Sequence, residues 1–347
     1  MFSEQTTFYI LDDPKKTTSY VPILGGQFPT RVKKRPFTEE ALKQLSTIFP
    51  LTTSPQTASY LLIPYDYFNV ASDVGYLKTA LAMSNLHNVP LIIFSYTDFH
   101  NPIVIKNALV FRTAQYRHHL LPNEYIIPPI IEDLGSIHGI VLREKLPHPV
   151  VGFCGWASYP TKLLRIKSAL KNIFRQTKLY MSGDKIPSVH YKGIYFRKAV
   201  LKTILRSSLI KSEIIERNIF AGLPNINTAK RTVLREDYVE NMQSVDLPLI
   251  VRGDGNFSAR FYEALSLGKV LLFIDTDIPL PLEEKIAYDT FMLRISYKDV
   301  SNIDLKIKEF WENLTNEDYV EMQRKSRECF LEYFASGKII EKTLASL

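Results

Sequence analysis

The hydrophobic positions of this chain fall into short apolar runs, separated by stretches whose apolar residues return with the period of a helix. That is the pattern of alternating strands and helices. In the first part, Thr7 to Leu11, Tyr60 to Pro64, Val89 to Tyr96 and Ala108 to Phe111 read as strands of the parallel type, and Ala71 to Met83 reads as a helix between them. The polar, proline-bearing run Arg143-Glu-Lys-Leu-Pro-His-Pro149 reads as a linker. After it come a strand at Val150 to Cys154, a helix from Thr161 to Arg175 and a basic helix carrying Lys198, Lys202 and Arg206. A helix from Arg235 to Gln243, a strand at Leu247 to Val251 and a strand at Phe291 to Ile295 follow, and helices near Asn302 to Asn313 and Asn316 to Phe334 close the chain. The expectation is an α/β protein with a first domain over residues 1–148, a second over 149–325 and a C-terminal helix at 326–347 that returns toward the first. No internal repeat interrupts the pattern.

The densest chemistry lies between two apolar strands, in Arg252-Gly-Asp-Gly-Asn-Phe-Ser-Ala-Arg-Phe-Tyr-Glu-Ala-Leu-Ser-Leu-Gly268. Counted as a helix from Phe257, it places Phe261, Ala264, Leu265 and Gly268 on a buried face, and Asn256, Arg260 and Glu263 on a polar one. Gly253 and Gly255 open the turn before that helix, whose N-terminus favours an anion through its unpaired donors and its dipole. Arg252 or Arg260 adds fixed positive charge for a diphosphate, and Glu263 can accept hydrogen bonds from ribose hydroxyls. Plainer readings use the same residues. The glycines also suit a tight turn, and Arg260 can pair with Glu263 on a solvated face. The tripeptide Arg252-Gly253-Asp254 follows a strand rather than a hairpin tip, which argues against an adhesion role. Gly253-x-Gly255 lacks the third glycine of a dinucleotide fingerprint, which argues against a nicotinamide-dependent oxidoreductase.

This motif, with Asp275-Thr276-Asp277-Ile278-Pro279-Leu280-Pro281 after the next strand, resembles the exostosin family of glycosyltransferases. Similar echoes occur in Arg235-Glu-Asp-Tyr-Val-Glu-Asn-Met242, in Val151-Gly-Phe-Cys-Gly155, in Phe111-Arg112-Thr113 and in Ile126-Ile-Pro-Pro129 with Glu132-Asp133. The resemblance implies a GT-B architecture of two Rossmann-like domains facing each other across a cleft, a nucleotide-sugar donor and inversion at the anomeric carbon. It implies donor contacts from Gly155, Arg217, Arg252, Gly253, Gly255, Asn256, Phe257, Ser258, Arg260 and Glu263. Retaining GT-B enzymes of the glycogen-synthase kind carry a second glutamate where this chain has Gly255, which agrees with an inverting displacement. Animal exostosins, by contrast, resemble membrane-anchored lumenal enzymes with a further transferase domain.

Sugar transfer to a hydroxyl also needs a base, and in open α/β sheets ligands bind at the carboxyl ends of strands. Asp98, Asp66 and His100 occupy such positions after first-domain strands, where each can equally serve a turn or a helix cap. The expected function is transfer of a sugar, a UDP-sugar foremost, to a hydroxyl of a growing glycan or lipid-linked acceptor, with no cofactor required. The alternative is a catalytically silent nucleotide- or glycan-binding partner of another transferase.

Composition changes this picture only at its edges. At 347 residues and 46% hydrophobic content the chain can fill two cores. Its two cysteines, Cys154 and Cys329, sit in apolar surroundings and read as core residues in a reducing compartment. The seven histidines show no ligand spacing, and the adjacent His118 and His119 would point apart in extended chain, so no metal site is expected. The formal charge of +7 calls for an anionic partner. Arg31, Lys33, Lys34 and Arg35 form one basic cluster, but no reading helix or stacking signature accompanies it, which speaks against nucleic acid. The face of Lys198, Lys202 and Arg206 suits an anionic membrane and equally suits plain solvation. The N-terminal run reaches acids after one short apolar strand, matching neither a signal peptide nor a membrane span. A cytoplasmic place is therefore expected, with peripheral contact at the inner face of a membrane.

Overall fold

The computed structural model describes residues 6–34, 38–45, 49–184, 186–219 and 226–347. Arg35 and the first five residues of the N-terminal run lie outside the described residues. Two compact units divide the chain. One comprises Met1–Asp133, Ile278–Ile286 and Cys329–Leu347, and the other Leu134–Asp277 with Ala287–Glu328.

In the first unit, β1 (Phe8–Ile10), β2 (Tyr60–Asp66), β3 (Leu91–Ser95), β4 (Ala108–Arg112) and β5 (Glu124–Ile126) form a sheet in simple chain order. Every neighbouring pair is parallel. Strands β2 to β4 are buried almost throughout, as parallel strands covered on both faces must be. Helices α1 (Glu39–Lys43), α2 (Tyr67–Val70) and α3 (Val74–His87) accompany them. The helix expected from Ala71 begins three residues later, because the Asp73 carboxylate accepts the Tyr76 N–H at 3.0 Å and caps it there. His118 and His119 do not point apart. They share a single 3-10 turn, Arg117–His119, and their ring centroids are 4.0 Å from each other.

The second unit holds α4 (Leu134–His138), β6 (Val150–Trp156), α5 (Lys162–Met181), α6 (Gly193–Ile204), β7 (Lys211–Arg217), α7 (Thr228–Ser244) and β8 (Leu247–Ile250). It continues with α8 (Ala259–Ser266), β9 (Leu271–Asp275), β10 (Met292–Ser296), α9 (Ile303–Glu312) and α10 (Asn316–Cys329), before α11 (Ile339–Leu344) returns the chain to the first unit. Its sheet is parallel in the order β10-β9-β8-β6-β7. The order therefore reverses between β6 and β8, which makes this a doubly wound sheet with a switch point. Val151, Phe153, Leu249 and Leu272 of the strands pack with Val200 of α6 and Trp311 of α9 in one core.

Residues 134–148 are tied into this second unit. Arg143 Nε donates to Asp246 Oδ1 at 2.9 Å, and its backbone N–H donates to Gln323 Oε1 at 2.9 Å. Helix α7 starts earlier than Arg235 because Asn227 caps it by accepting the Lys230 N–H at 2.8 Å. The motif helix is shorter than expected. Asn256 lies in the turn before α8, so it shares no helical face with Arg260 and Glu263. At its other end Gly268 adopts a left-handed φ of 67°, with its N–H on the Leu265 carbonyl and the Lys269 N–H on the Ala264 carbonyl. That double bond is a Schellman stop, for which glycine is the favoured residue. The α/β expectation of two parallel sheets holds.

Candidate functional site

In open α/β sheets a ligand binds outside the carboxyl ends of the strands that flank a switch point. In the second unit those ends are Trp156 of β6 and the Val251-Arg252-Gly253 turn after β8. The turn leads into α8, whose N-cap Ser258 has extended backbone and makes no side-chain bond to the first turn. Neither Gly253 nor Gly255 has a positive φ, so neither is there to relieve backbone strain. A Cβ placed on Gly253 would meet nothing nearer than Arg197 Nη2 at 4.0 Å. The glycine whose absent side chain is indispensable here is Gly193, at the start of α6. Its Cβ would lie 2.2 Å from the Gly253 carbonyl oxygen.

The arginines around this turn divide by their partners. Arg252 is fully buried. Its Nη1 donates to the Val189 carbonyl and to Asn256 Oδ1, both at 3.0 Å, and its Nη2 to the carbonyls of Tyr191 at 3.0 Å and Asp254 at 3.3 Å. With Nε on the Gly253 carbonyl at 3.4 Å, all of its N–H donors are engaged. Asn256 extends the clamp, donating to the Asp277 carbonyl at 3.1 Å and accepting from Thr276 Oγ1 at 2.9 Å. Arg260 stacks on the rings of Phe153 at 4.4 Å and Tyr238 at 4.9 Å, and donates to the carbonyls of Cys154 and Leu249. Gly155 makes room for it, since a Cβ there would come within 2.9 Å of Arg260 Nη2. Arg217, at the end of β7, donates to Asp237 Oδ2 and to the Leu234 carbonyl, each at 2.8 Å.

Arg197 of α6 differs from these. Its Nη1 donates to the Trp156 carbonyl at 2.8 Å, but its Nε is buried without a partner. Burial first, and Arg260 next, push its guanidinium down to about 10, while Asp254 opposes them and Arg252 adds to them. A basic group weakened first by burial and then by neighbouring positive charge marks a place that an anion would relieve.

Glu263 is buried at 7% exposure, and both of its oxygens are oriented. Oε1 accepts from Arg235 Nη1 at 2.8 Å, and Oε2 accepts from the Tyr238 hydroxyl at 2.5 Å. Arg260 Nε donates in turn to that hydroxyl at 3.4 Å. Burial, and then Glu263, raise the phenol of Tyr238, which keeps it a donor. Phe257 and Ser258 are half-buried at the mouth of the turn.

Sequence reasoning missed Arg197, Gly193 and the roles of Arg235 and Tyr238. The last two stand in a run already singled out, whereas Arg197 sits on a helix noted only for its opposite, basic face.

The base candidates belong to the first unit. Asp66 is buried at the end of β2, with Oδ1 accepting the Phe68 N–H at 3.1 Å and Oδ2 the Tyr96 N–H at 2.6 Å. It is thus a helix cap and a strand tie together. Asp98 is exposed in the loop after β3. The half-buried His100 packs edge-on against the Tyr116 ring at 5.1 Å.

No protein-family profile and no curated protein matches this chain. Solved structures that overlay on it include TarM, at a TM-score of 0.37 and 12% identity, covering 84% of this chain and 54% of that one. The pneumococcal O-GlcNAc transferase GtfA, solved in complex with UDP and GlcNAc, overlays at a TM-score of 0.34 and 12% identity over 83% of this chain and 56% of its own. A glycosyltransferase from Rickettsia africae ESF-5 overlays at 0.37 and 11% identity, over 99% of this chain and 98% of that one. The chain spans about half the length of the first two. Likenesses of this degree decide neither ligand nor reaction.

Proposed function

We propose that this chain is an exostosin-like, GT-B glycosyltransferase that moves a sugar from a nucleotide diphosphate, a UDP-sugar, to a hydroxyl of a growing glycan or lipid-linked acceptor. The observation that carries the reading is Arg197, with its unpartnered Nε and depressed guanidinium, beside the open Gly253 turn at the switch point. In this reading Arg197 and the first-turn N–H groups of α8 take the diphosphate, and Arg260 adds field from beneath without leaving its ring platform. Glu263, held by Arg235 and Tyr238, accepts from the ribose hydroxyls with its remaining lone pairs.

The reaction is a single displacement. The acceptor oxygen bonds to the anomeric carbon, the bond from that carbon to the phosphate oxygen breaks, and UDP leaves with the electron pair. The hydroxyl proton passes to a base, for which Asp98 is the choice, with His100 and Asp66 as the other candidates. No cofactor enters this scheme.

Calorimetry with UDP, ADP and GDP tests the donor half. Binding of UDP that falls about tenfold or more in Arg197→Ala supports it, and absence of nucleotide binding by the folded wild type overturns it. Proton NMR of the new linkage tests the displacement, since a retained anomeric configuration is incompatible with it. A second reading, a silent nucleotide- or glycan-binding partner, is favoured by the commitment of both Asp66 oxygens to backbone amides. It predicts UDP binding with no turnover of UDP-sugars when acceptors are supplied.

A further inference from the structure

The second unit carries a surface that nucleotide chemistry does not use. Helix α5 buries Ser168 and Asn172, while Leu163, Ile166, Leu170, Ile173, Phe174 and Met181 stand between 56% and 81% exposed. At 3.6 residues per turn those apolar side chains share an arc of about 100°. Lys167, Lys171 and Lys178 line one edge of it. The helix holds six basic residues, with Lys162, Arg165 and Arg175 added to these three, and no acidic one. Among the described residues none of the six pairs with a carboxylate. A surface helix normally turns its apolar stripe to the core; α5 turns it to solvent. The basic helix α6 is the ordinary case, since its Phe196, Val200 and Ile204 are buried and only its charged side faces out.

We propose that α5 is an interfacial anchor that lies in the plane of an anionic phospholipid surface. Leu170, Phe174 and their apolar neighbours enter the boundary of the acyl chains, and the lysines remain at headgroup level. Charge complementarity selects this occupant. A second copy docked α5 against α5 would bring two sets of unpaired positive charge together. Nucleic acid would satisfy the lysines and leave the apolar arc in water. No helix among the described residues is long and apolar enough to cross a membrane, so the contact is with the surface. This inference goes beyond the donor site and does not depend on it.

The test is co-sedimentation of the full chain with phosphatidylcholine vesicles, with and without phosphatidylglycerol. Binding is expected only to the anionic vesicles and is weakened by salt. The pair Leu170→Ser and Phe174→Ser lowers partitioning about tenfold or more, and Lys167→Glu with Lys171→Glu and Lys178→Glu lowers it about 100-fold. Thermal melting and UDP affinity, measured on the same variants, stay at wild-type values, which separates failure of this proposal from failure of the donor site. Equal binding to neutral vesicles, or partitioning unchanged in both folded variants, overturns it. So does a dimer in sedimentation velocity that the serine pair disperses, or a nucleic-acid complex that the glutamate variant loses.

Discussion

Arg252 and Arg197 show how differently two arginines at one turn can be employed. Arg252→Lys keeps the charge but cannot reproduce a planar fork bonded to fixed carbonyls, so it is expected to destabilise the fold by about 3 kcal/mol. Arg197→Lys should leave the urea midpoint nearly unchanged and weaken UDP binding; paired denaturation and calorimetry check both halves. Glu263→Gln retains shape and loses charge, leaving Arg235 less well paired, so a loss of about 1–3 kcal/mol in stability is expected beside the loss of UDP affinity. At the base, Asp98→Asn should abolish transfer with donor affinity intact, and unimpaired turnover would eliminate Asp98. Lys269 supplies a pH test. Its buried ammonium donates to the Gln243 and Val245 carbonyls, and burial, assisted by Arg143, pushes it down to about 8. Between about pH 8 and its ordinary value of 10.5 the unfolded chain holds more protons, so stability rises with pH there. The difference in unfolding free energy between wild type and Lys269→Met should climb across that window, and a flat difference would refute the assignment. At this scale the sequence displays residue types but not their partners. The carbonyl of Tyr191 that accepts from Arg252 lies 61 residues away, and no local pattern announces such a pairing.

At the scale of elements, strands were legible because buried parallel strands are continuous apolar runs, as in Leu91–Ser95 and Leu271–Asp275. The edge strand β7, Lys-Ser-Glu-Ile-Ile-Glu-Arg, escaped notice, since it is mostly exposed and, among the described residues, pairs only with β6. Helix starts were misplaced where a single Asp or Asn side chain fixes them, at Asp73 and Asn227. The reach of α5 to Met181, and the outward turn of its apolar side, depend on which face packs, and periodicity alone does not say which. Contacts between elements bring a further expectation. Gly193→Ala drives a methyl into the Gly253 carbonyl, so α6 must shift away from the donor turn, with an expected loss of about 1–3 kcal/mol by urea titration. Should that variant match wild type in both stability and UDP affinity, the packing of α6 on the turn would be irrelevant to the site.

At the scale of the molecule, two parallel sheets were foreseeable from alternating strands and helices, but the strand order was not. The switch point depends on β8 pairing with β6 on the side away from β7, a long-range choice that the sequence does not print locally. The first unit draws on three separate stretches of chain. Ile278–Ile286 joins it through Arg117, which donates to the Ile278 carbonyl at 2.7 Å and pairs with Glu283 at 3.2 Å. Removing residues 329–347 should accordingly raise amide exchange in β1 to β5 while β6 to β10 stay protected; uniform loss of protection would show that the units do not fold separately. That shared membership bears on biosynthesis. A ribosome delivers the whole of the second unit once residue 328 has cleared the exit tunnel, yet the first unit, translated earliest, still lacks its last segment. The first unit is therefore completed only after residues 329–347 have also emerged, which reverses the usual N-terminal-first order and makes the early product the natural client of a chaperone.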